Sequence, residues 1–268
     1  MAVEMLSSKE NKIIKNVIKL TESAKERREQ RLFVADGVRL CFDAAISGCE
    51  IELTLFTKDA ENKYADYLKD IFAVSKQKYC ITDELASKIS DTKSPQGVIS
   101  VCRMLDKKAN IVNIIKDGFF LVLEEIQDPS NMGAIFRSAE AFGISGVILI
   151  GNCCDIYAPK TVRASMGAVF RLPIFRADGA ENIVDIFKSN QVRTFAAVVN
   201  HEDAKLVCDC QLGKGCAIFI GNEGNGLLDN TVALCDEKIT IPMRGRAESL
   251  NAAVAASVLI WEMVKNER

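Results

Sequence analysis

Two kinds of hydrophobic pattern alternate along this chain. Residues 9–30 are polar and rich in helix formers, with Ile13, Ile14, Val17, Ile18 and Leu20 marking one face, so an amphipathic helix is predicted. Leu32–Ala35 reads as a short strand, Gly37–Ile46 as a helix carrying Val38, Leu40, Phe42 and Ala45, and Ile51–Phe56 as a second strand. A helix is predicted over 60–69 and a strand near Ile71–Val74. Thr82 then caps a helix running through Ala86 and Ile89, and Gly97–Arg103 forms a closing strand. Residues 104–117 turn polar and read as a connector.

The second half carries stronger strands. Phe119–Leu123, Val147–Ile150, Phe195–Val199, Ala217–Ile220 and Ile239–Ile241 are nearly continuous apolar runs, as expected of strands buried on both faces. Helices fill the gaps, notably at 132–142 and 249–265. The predicted fold is α/β: a mostly parallel sheet with helices on both faces, preceded by a small α/β domain. The expected boundaries are 1–104, a linker at 105–117, and 118–268. The longest apolar run, Ala252–Trp261, is broken by Ser257 and falls short of the roughly 18–20 residues that span a bilayer, so it reads as a buried helix with no membrane partner.

Composition narrows the function. The 268 residues suffice for two cores, and 49% apolar with 26% charged residues fits a folded chain. A net charge of −2 excludes a uniformly basic nucleic-acid binder. Yet Lys9–Arg31 holds eight Lys or Arg against four Glu, which serves either as a solvated helix face or as a phosphate-tracking surface. Ten cysteines occur without a Cys-x-x-Cys pair, and His201 is the single histidine, so no metal is expected. Reduced thiols in a cytoplasmic protein account for them.

Three segments place small or amide residues directly after a buried strand, where open α/β sheets keep their ligand crevice. In Asp128-Pro129-Ser130-Asn131-Met132-Gly133-Ala134-Ile135-Phe136-Arg137, Pro129 stops the strand and Asn131 reads as the N-cap of the next helix. Arg137 could pair with Glu140 or Glu124, or present its fork to a phosphate or ribose. Gly221-Asn222-Glu223-Gly224-Asn225-Gly226-Leu227 has three glycines in six residues, where a plain turn needs one. Its G-x-x-G-x-G spacing is neither the dinucleotide fingerprint nor a P-loop. In Ile241-Pro242-Met243-Arg244-Gly245-Arg246-Ala247-Glu248-Ser249-Leu250-Asn251, Ser249 reads as the cap of the last helix, with Asn251 in its first turn. Arg244 and Arg246 are candidate phosphate contacts.

The order N-x-G-A-I-x-R, G-N-E-G-x-G-L, I-P-M … S-L-N resembles the three motifs of the SpoU family, the S-adenosylmethionine-dependent RNA 2′-O-ribose methyltransferases of the SPOUT class. Pro159-Lys160, Val162–Pro173, Phe33–Leu40 and Asp91–Val98 extend the resemblance over nearly the whole chain. One departure is Ala252-Ala253-Val254-Ala255, where the family tends to have Val-Ser-Val-Ala, so a hydroxyl is lost.

The resemblance implies a trefoil-knotted catalytic domain, which general topology rules alone would not predict. It implies S-adenosylmethionine as methyl donor, held by Gly221, Asn222, Gly226, Ile241, Met243 and Leu250. It gives the central role to Arg137, with Asn131, Glu223, Ser249 and Asn251 positioning Arg137 and the ribose. Residues 1–104 resemble a ribosomal-protein-like RNA-binding domain, which favours large-subunit rRNA over tRNA. Candidate RNA contacts are Lys12, Lys15, Lys19, Arg27, Arg28, Arg39, Arg163, Arg244 and Arg246. A homodimer is implied, with Trp261 and Val264 on the last helix at its interface. The alternative reading is an RNA-binding protein without activity.

Overall fold

The computed structural model describes residues 3–108, 116–199 and 201–266. Most of the expected linker at 105–117 lies outside them. The chain forms two compact units. The first holds the residues up to Leu105 together with Asp155–Phe170, and the second holds Asp106–Cys154 with Arg171 onward.

The first unit runs β1 (Glu4–Leu6), α1 (Lys12–Glu22), α2 (Ala24–Gln30), β2 (Leu32–Asp36), α3 (Val38–Ile46), β3 (Ile51–Thr57), α4 (Lys58–Lys63), α5 (Ala65–Val74), β4 (Ser75–Ile81), α6 (Asp83–Ile89) and β5 (Val98–Arg103). Its sheet has the order β1-β4-β3-β5-β2, with β5 antiparallel to both neighbours and the other pairs parallel. Ile14, Val17 and Leu20 of α1 pack with Val34, Leu55 and Ile99 in its core. The expected apolar face of α1 therefore forms.

Two expectations for this unit need correction. The basic stretch is two helices, because Ser23 adopts an extended conformation and caps α2, accepting from the Glu26 N–H at 3.3 Å. The strand expected near Ile71–Val74 is helical: Leu68 and Ile71, three apart, bury one face of α5. The strand follows at Ser75–Ile81, and its mixed polar sequence hid it.

Residues 155–170 belong to the first unit through buried side chains. The Tyr157 ring lies 4.5 Å from that of Phe33 between centroids, and its hydroxyl accepts from the Leu105 N–H at 2.7 Å.

The remaining elements are β6 (Lys107–Lys108), β7 (Phe119–Glu124), α7 (Pro129–Ala141), β8 (Gly146–Ile150), α8 (Pro159–Ala164), α9 (Ala168–Arg171), β9 (Ile174–Arg176), α10 (Ala180–Ser189), β10 (Arg193–Ala197), β11 (Lys205–Leu206), β12 (Cys216–Ile220), α11 (Asp229–Leu234), β13 (Glu237–Thr240) and α12 (Ala252–Val264). The second unit's sheet is parallel throughout its described pairs, in the order β11-β13-β10-β12-β7-β8-β9-β6. The segments after β7, β12 and β13 therefore leave the same end of the sheet, which brings the three motifs together. Among the described residues no helix is long and apolar enough to cross a membrane.

Candidate functional site

The first motif starts α7 earlier than its sequence indicates. Pro129 occupies the first helical position, where its fixed φ fits and its missing N–H costs nothing. The cap therefore falls on Asp128, whose carboxylate accepts from the N–H groups of Ser130 (2.7 Å) and Asn131 (3.0 Å). This corrects the assignment of Asn131 as the cap and leaves its side chain for other work. Its Nδ2 donates to Glu223 Oε1 at 3.0 Å, and its Oδ1 accepts from Asn251 Nδ2 at 2.9 Å. One amide thus ties all three motifs together.

Glu223 is the acceptor at the centre. Besides Asn131 it takes the Asp128 N–H on Oε1 at 3.0 Å and the Gln127 N–H on Oε2 at 3.1 Å. Partial burial pushes its carboxyl up. The hydrogen bonds from Asn131 and from those backbone N–H groups outweigh that and hold it below the usual glutamate range. The site thus contains a fixed negative charge.

Asn251 caps α12, its Oδ1 accepting from Ala253 N (2.9 Å) and Val254 N (3.3 Å). This replaces the expected cap, Ser249. The helix begins only at Ala252, so Ser249 lies too early to reach its first turn and instead lines the adjacent cavity.

The glycine loop closes on itself. Asn222 and Gly226 exchange backbone hydrogen bonds at 3.0 and 2.9 Å, and Gly226 has φ +72°. The Asn222 side chain donates to the Glu125 carbonyl at 2.9 Å and accepts from the N–H groups of Gly224 (2.9 Å) and Asn225 (3.1 Å). A Cβ on Gly221 would stand 2.1 Å from Gly226 C and Leu227 N, so only glycine fits there.

This loop and residues 241–250 wall a cavity of about 940 Å³ within the second unit. That is within the roughly 300–1,000 Å³ of small-molecule clefts. Gly221, Asn222, Gly226, Ile241, Met243 and Leu250 all line it, as do Glu223 and Ser249. His201 and Lys238 line it too and were not anticipated. Their position past and beside the carboxyl end of β10 is the signal that could have found them.

Arg137 stands apart. It is exposed on the third turn of α7 and makes no hydrogen bond or ion pair among the described residues. Both proposed partners are occupied: Glu140 accepts from Arg171 at 2.7 Å, and buried Glu124 accepts from Thr231 Oγ1 at 2.6 Å and Leu228 N at 2.9 Å. No hydrogen bond joins Arg137 to Asn131, Glu223, Ser249 or Asn251.

Of the basic candidates, Lys12, Lys15 and Lys19 share the exposed side of α1, with Lys15 beside Glu10 and Lys19 4.0 Å from Glu26. Arg28, Arg39, Arg244 and Arg246 are exposed, and Arg163 donates to Asp91 at 2.7 Å. Arg27 is a correction. It is 4% exposed, its Nε and Nη2 lie 2.8 Å from Asp155 Oδ2, and its Nη1 donates to the carbonyls of Leu20 and Thr21. Its guanidinium is consumed inside the protein and is unavailable to a phosphate.

Known proteins resemble this chain over most of its length. Residues 118–261 match the SpoU rRNA Methylase family, and residues 11–100 match the MRM3-like substrate binding domain. The 23S rRNA (guanosine(2553)-2'-O)-methyltransferase RlmP of Bacillus subtilis is 27% identical over 261 residues, covering 97% of this chain and 99% of that one. The 23S rRNA (uridine(2479)-2'-O)-methyltransferase of Streptomyces viridochromogenes is 28% identical, covering 87% and 82%. An AdoMet-bound rRNA methyltransferase from Sinorhizobium meliloti superposes with a TM-score of 0.89 at 27% identity over 99% of both chains. With the Asn131 amide of the first motif bonded to the second and third, whose loops wall the cavity, and more than half its length matching one family, this chain belongs to the SpoU rRNA methylase family.

Proposed function

We propose that this protein transfers a methyl group from S-adenosylmethionine to a ribose 2′-hydroxyl in rRNA, with large-subunit rRNA favoured over tRNA. The observation that carries the reading is the chain of hydrogen bonds from Asn251 through Asn131 to Glu223 at the cavity. It joins one residue from each of the three motifs beside that cavity. The rRNA preference rests on the substrates named for the two 23S rRNA relatives and on the match of residues 11–100.

The cofactor fits the residues present. Gly221 permits a backbone approach that any Cβ would block, and the loops 221–227 and 241–250 face one cavity. Gly221, Asn222, Gly226, Ile241, Met243 and Leu250 would hold it. The bound cofactor supplies an electrophilic methyl on a sulfonium. A ribose hydroxyl attacks poorly until it sheds its proton, which passes to water as the oxygen takes the methyl and the sulfonium leaves as a neutral thioether, an adjacent RNA phosphate being too weak a base to keep it. Arg137, unpaired and permanently charged, orients that phosphate and stabilises the negative charge developing on the 2′-oxygen. Glu223 fixes the start of α7 through Gln127, Asp128 and Asn131, and so the helix that carries Arg137. Ser249, on the cavity wall, contacts the ribose.

Three further features complete the reading. Residues 1–104 bind RNA through Lys12, Lys15, Lys19, Arg28 and Arg39, and residues 118–268 form the transferase. The segment 241–251 completes a trefoil knot, a reading that rests on the family match of residues 118–261. The protein is a cytoplasmic homodimer, joined along α12, where Val254 and Trp261 are each 51% exposed and Val264, expected at the interface with Trp261, is half-buried.

The test is to incubate the protein with methyl-labelled S-adenosylmethionine and unmodified rRNA and tRNA fractions, then digest to nucleosides. A labelled 2′-O-methylnucleoside from rRNA is expected. Label confined to tRNA overturns the substrate preference. RNA binding without transfer returns the reading of an inactive RNA-binding protein.

A further inference from the structure

The first unit has a cavity of its own, about 580 Å³, remote in sequence from the transfer motifs. Its lining combines four chemistries, one of them the carboxylates of Asp36 and Asp43 beside the arginines. Arg39 and Arg163 supply charge. Phe42 and Tyr67 supply flat apolar surface, their rings meeting edge to face at 5.1 Å and 86°, with Tyr67 left 38% exposed. Gln96 supplies a side-chain amide whose Oε1 accepts from the Val38 N–H at 3.0 Å.

Two residues of the 155–170 segment, Arg163 and Met166, shape one wall of it. Arg163 spends Nη2 on Asp91 at 2.7 Å, while its Nη1 is buried with no hydrogen-bond partner. That atom is closed to solvent, so a cavity ligand meets the rest of the Arg163 side chain, which is 30% exposed. Met166 has φ +49°, a left-handed conformation uncommon for a residue with a side chain, and its thioether is left 53% exposed at the cavity. Backbone hydrogen bonds from Met166 N to Arg163 O (3.1 Å) and from Ala168 N to Ser165 O (3.0 Å) hold that turn. Met166 is the left-handed residue that ends α8 after its cap Ser165, and that turn leaves its side chain outward at the cavity.

A free phosphate would use the arginines but not a wall of Phe42, Tyr67 and Met166. A purely apolar ligand would use the wall but strand the arginines. A nucleotide uses both, stacking its base on an aromatic face while its phosphate meets a guanidinium. We propose that this cavity takes one unstacked nucleotide of the RNA substrate, its phosphate at Arg39 and Arg163 and its base against Tyr67, Phe42 and Met166. The proposal rests on RNA being the substrate, and it makes the first unit a reader of unpaired RNA rather than of duplex.

The test uses the full chain and binding readouts. Labelled single-stranded oligoribonucleotides carrying 4-thiouridine, and duplexes of the same sequence, are titrated and photo-cross-linked to wild type, Tyr67→Ala, Tyr67→Phe and Arg39→Ala. The expected cross-link from single strands maps to the peptides holding Tyr67 or Met166. Tyr67→Ala and Arg39→Ala are each expected to raise the single-strand Kd by about fivefold or more, while Tyr67→Phe keeps it. Unchanged Kd in both Ala variants, or equal cross-linking by duplex, overturns the proposal. Tyr67 and Arg39 are both partly exposed, and thermal unfolding of the variants checks that they fold. Methyl transfer is measured separately on wild type. Transfer without the cross-link removes this pocket alone, and the cross-link without transfer removes only the proposed reaction.

Discussion

Arg137, Gly221 and Glu223 do different work, and single substitutions separate them. Arg137 makes no hydrogen bond or ion pair with any described residue, so Arg137→Ala should leave the fold and cofactor affinity unchanged. Methyl transfer should fall by roughly 10²–10³-fold, the usual effect of removing one donor aimed at developing charge. Labelled-methyl kinetics beside calorimetric S-adenosylmethionine binding read both, and undiminished transfer would remove Arg137 from the mechanism. Gly221→Ala should act the other way. Its Cβ would need to displace the backbone of Gly226 and Leu227, at a cost of about 1–3 kcal/mol or more, with loss of cofactor binding seen by the same calorimetry. Glu223 makes the site sensitive to acid. Its folded pKa lies below the ordinary value of 4.5, so its contribution to stability is complete above that value. It is lost as pH falls through the lower folded pKa. Glu223→Gln should therefore be less stable than wild type near neutrality, with the gap narrowing in acid, measured by denaturant unfolding across pH.

At the scale of elements, caps decide where helices begin, and they moved two residues from bland roles to informative ones. Asp128 and Asn251 cap α7 and α12. Asn131 is thereby free to bridge Glu223 and Asn251, so the start of each helix becomes part of the site. The α1–α2 pair shows the converse. Its lysines face outward, but Arg27 turns in to the carbonyls of Leu20 and Thr21 and to Asp155. Removing one partner of a buried ion pair strands the other, so Arg27→Ala should cost about 3–5 kcal/mol, read from denaturant unfolding. Equal stability, with weakened RNA binding, would restore Arg27 to the RNA surface. Lys12→Ala and Lys19→Ala should instead leave stability unchanged.

At the scale of the whole molecule, α12 is apolar almost all round, yet the side bearing Val254 and Trp261 is open, with Phe142 packed edge-on to Trp261 at 5.8 Å. Trp261→Glu should shift the protein from dimer to monomer in light scattering. A monomeric wild type would remove the dimer from the proposed function. Much of this architecture was legible beforehand, because buried parallel strands such as Phe119–Leu123 and Ala217–Ile220 are apolar without interruption, and because Gly221 sits where only glycine fits and Gly226 at a positive φ that favours glycine. β4 was missed because the polar side chains of its Ser75–Ile81 sequence mask it, whereas Leu68 and Ile71 of the preceding helix imitate an apolar run. The short strand Glu4–Leu6 and the grouping of 155–170 with the first unit were missed because pairing and packing partners lie far away in sequence. The sequence by itself determined the strand order's raw material, the three motifs and their chemistry, since those depend on residue type and local spacing. Only the tertiary structure decided which amide caps and which bridges, and that Arg27 faces inward while Arg137 stays unpaired, because hydrogen-bond partners and burial are set by neighbours as far apart as Asn131, Glu223 and Asn251.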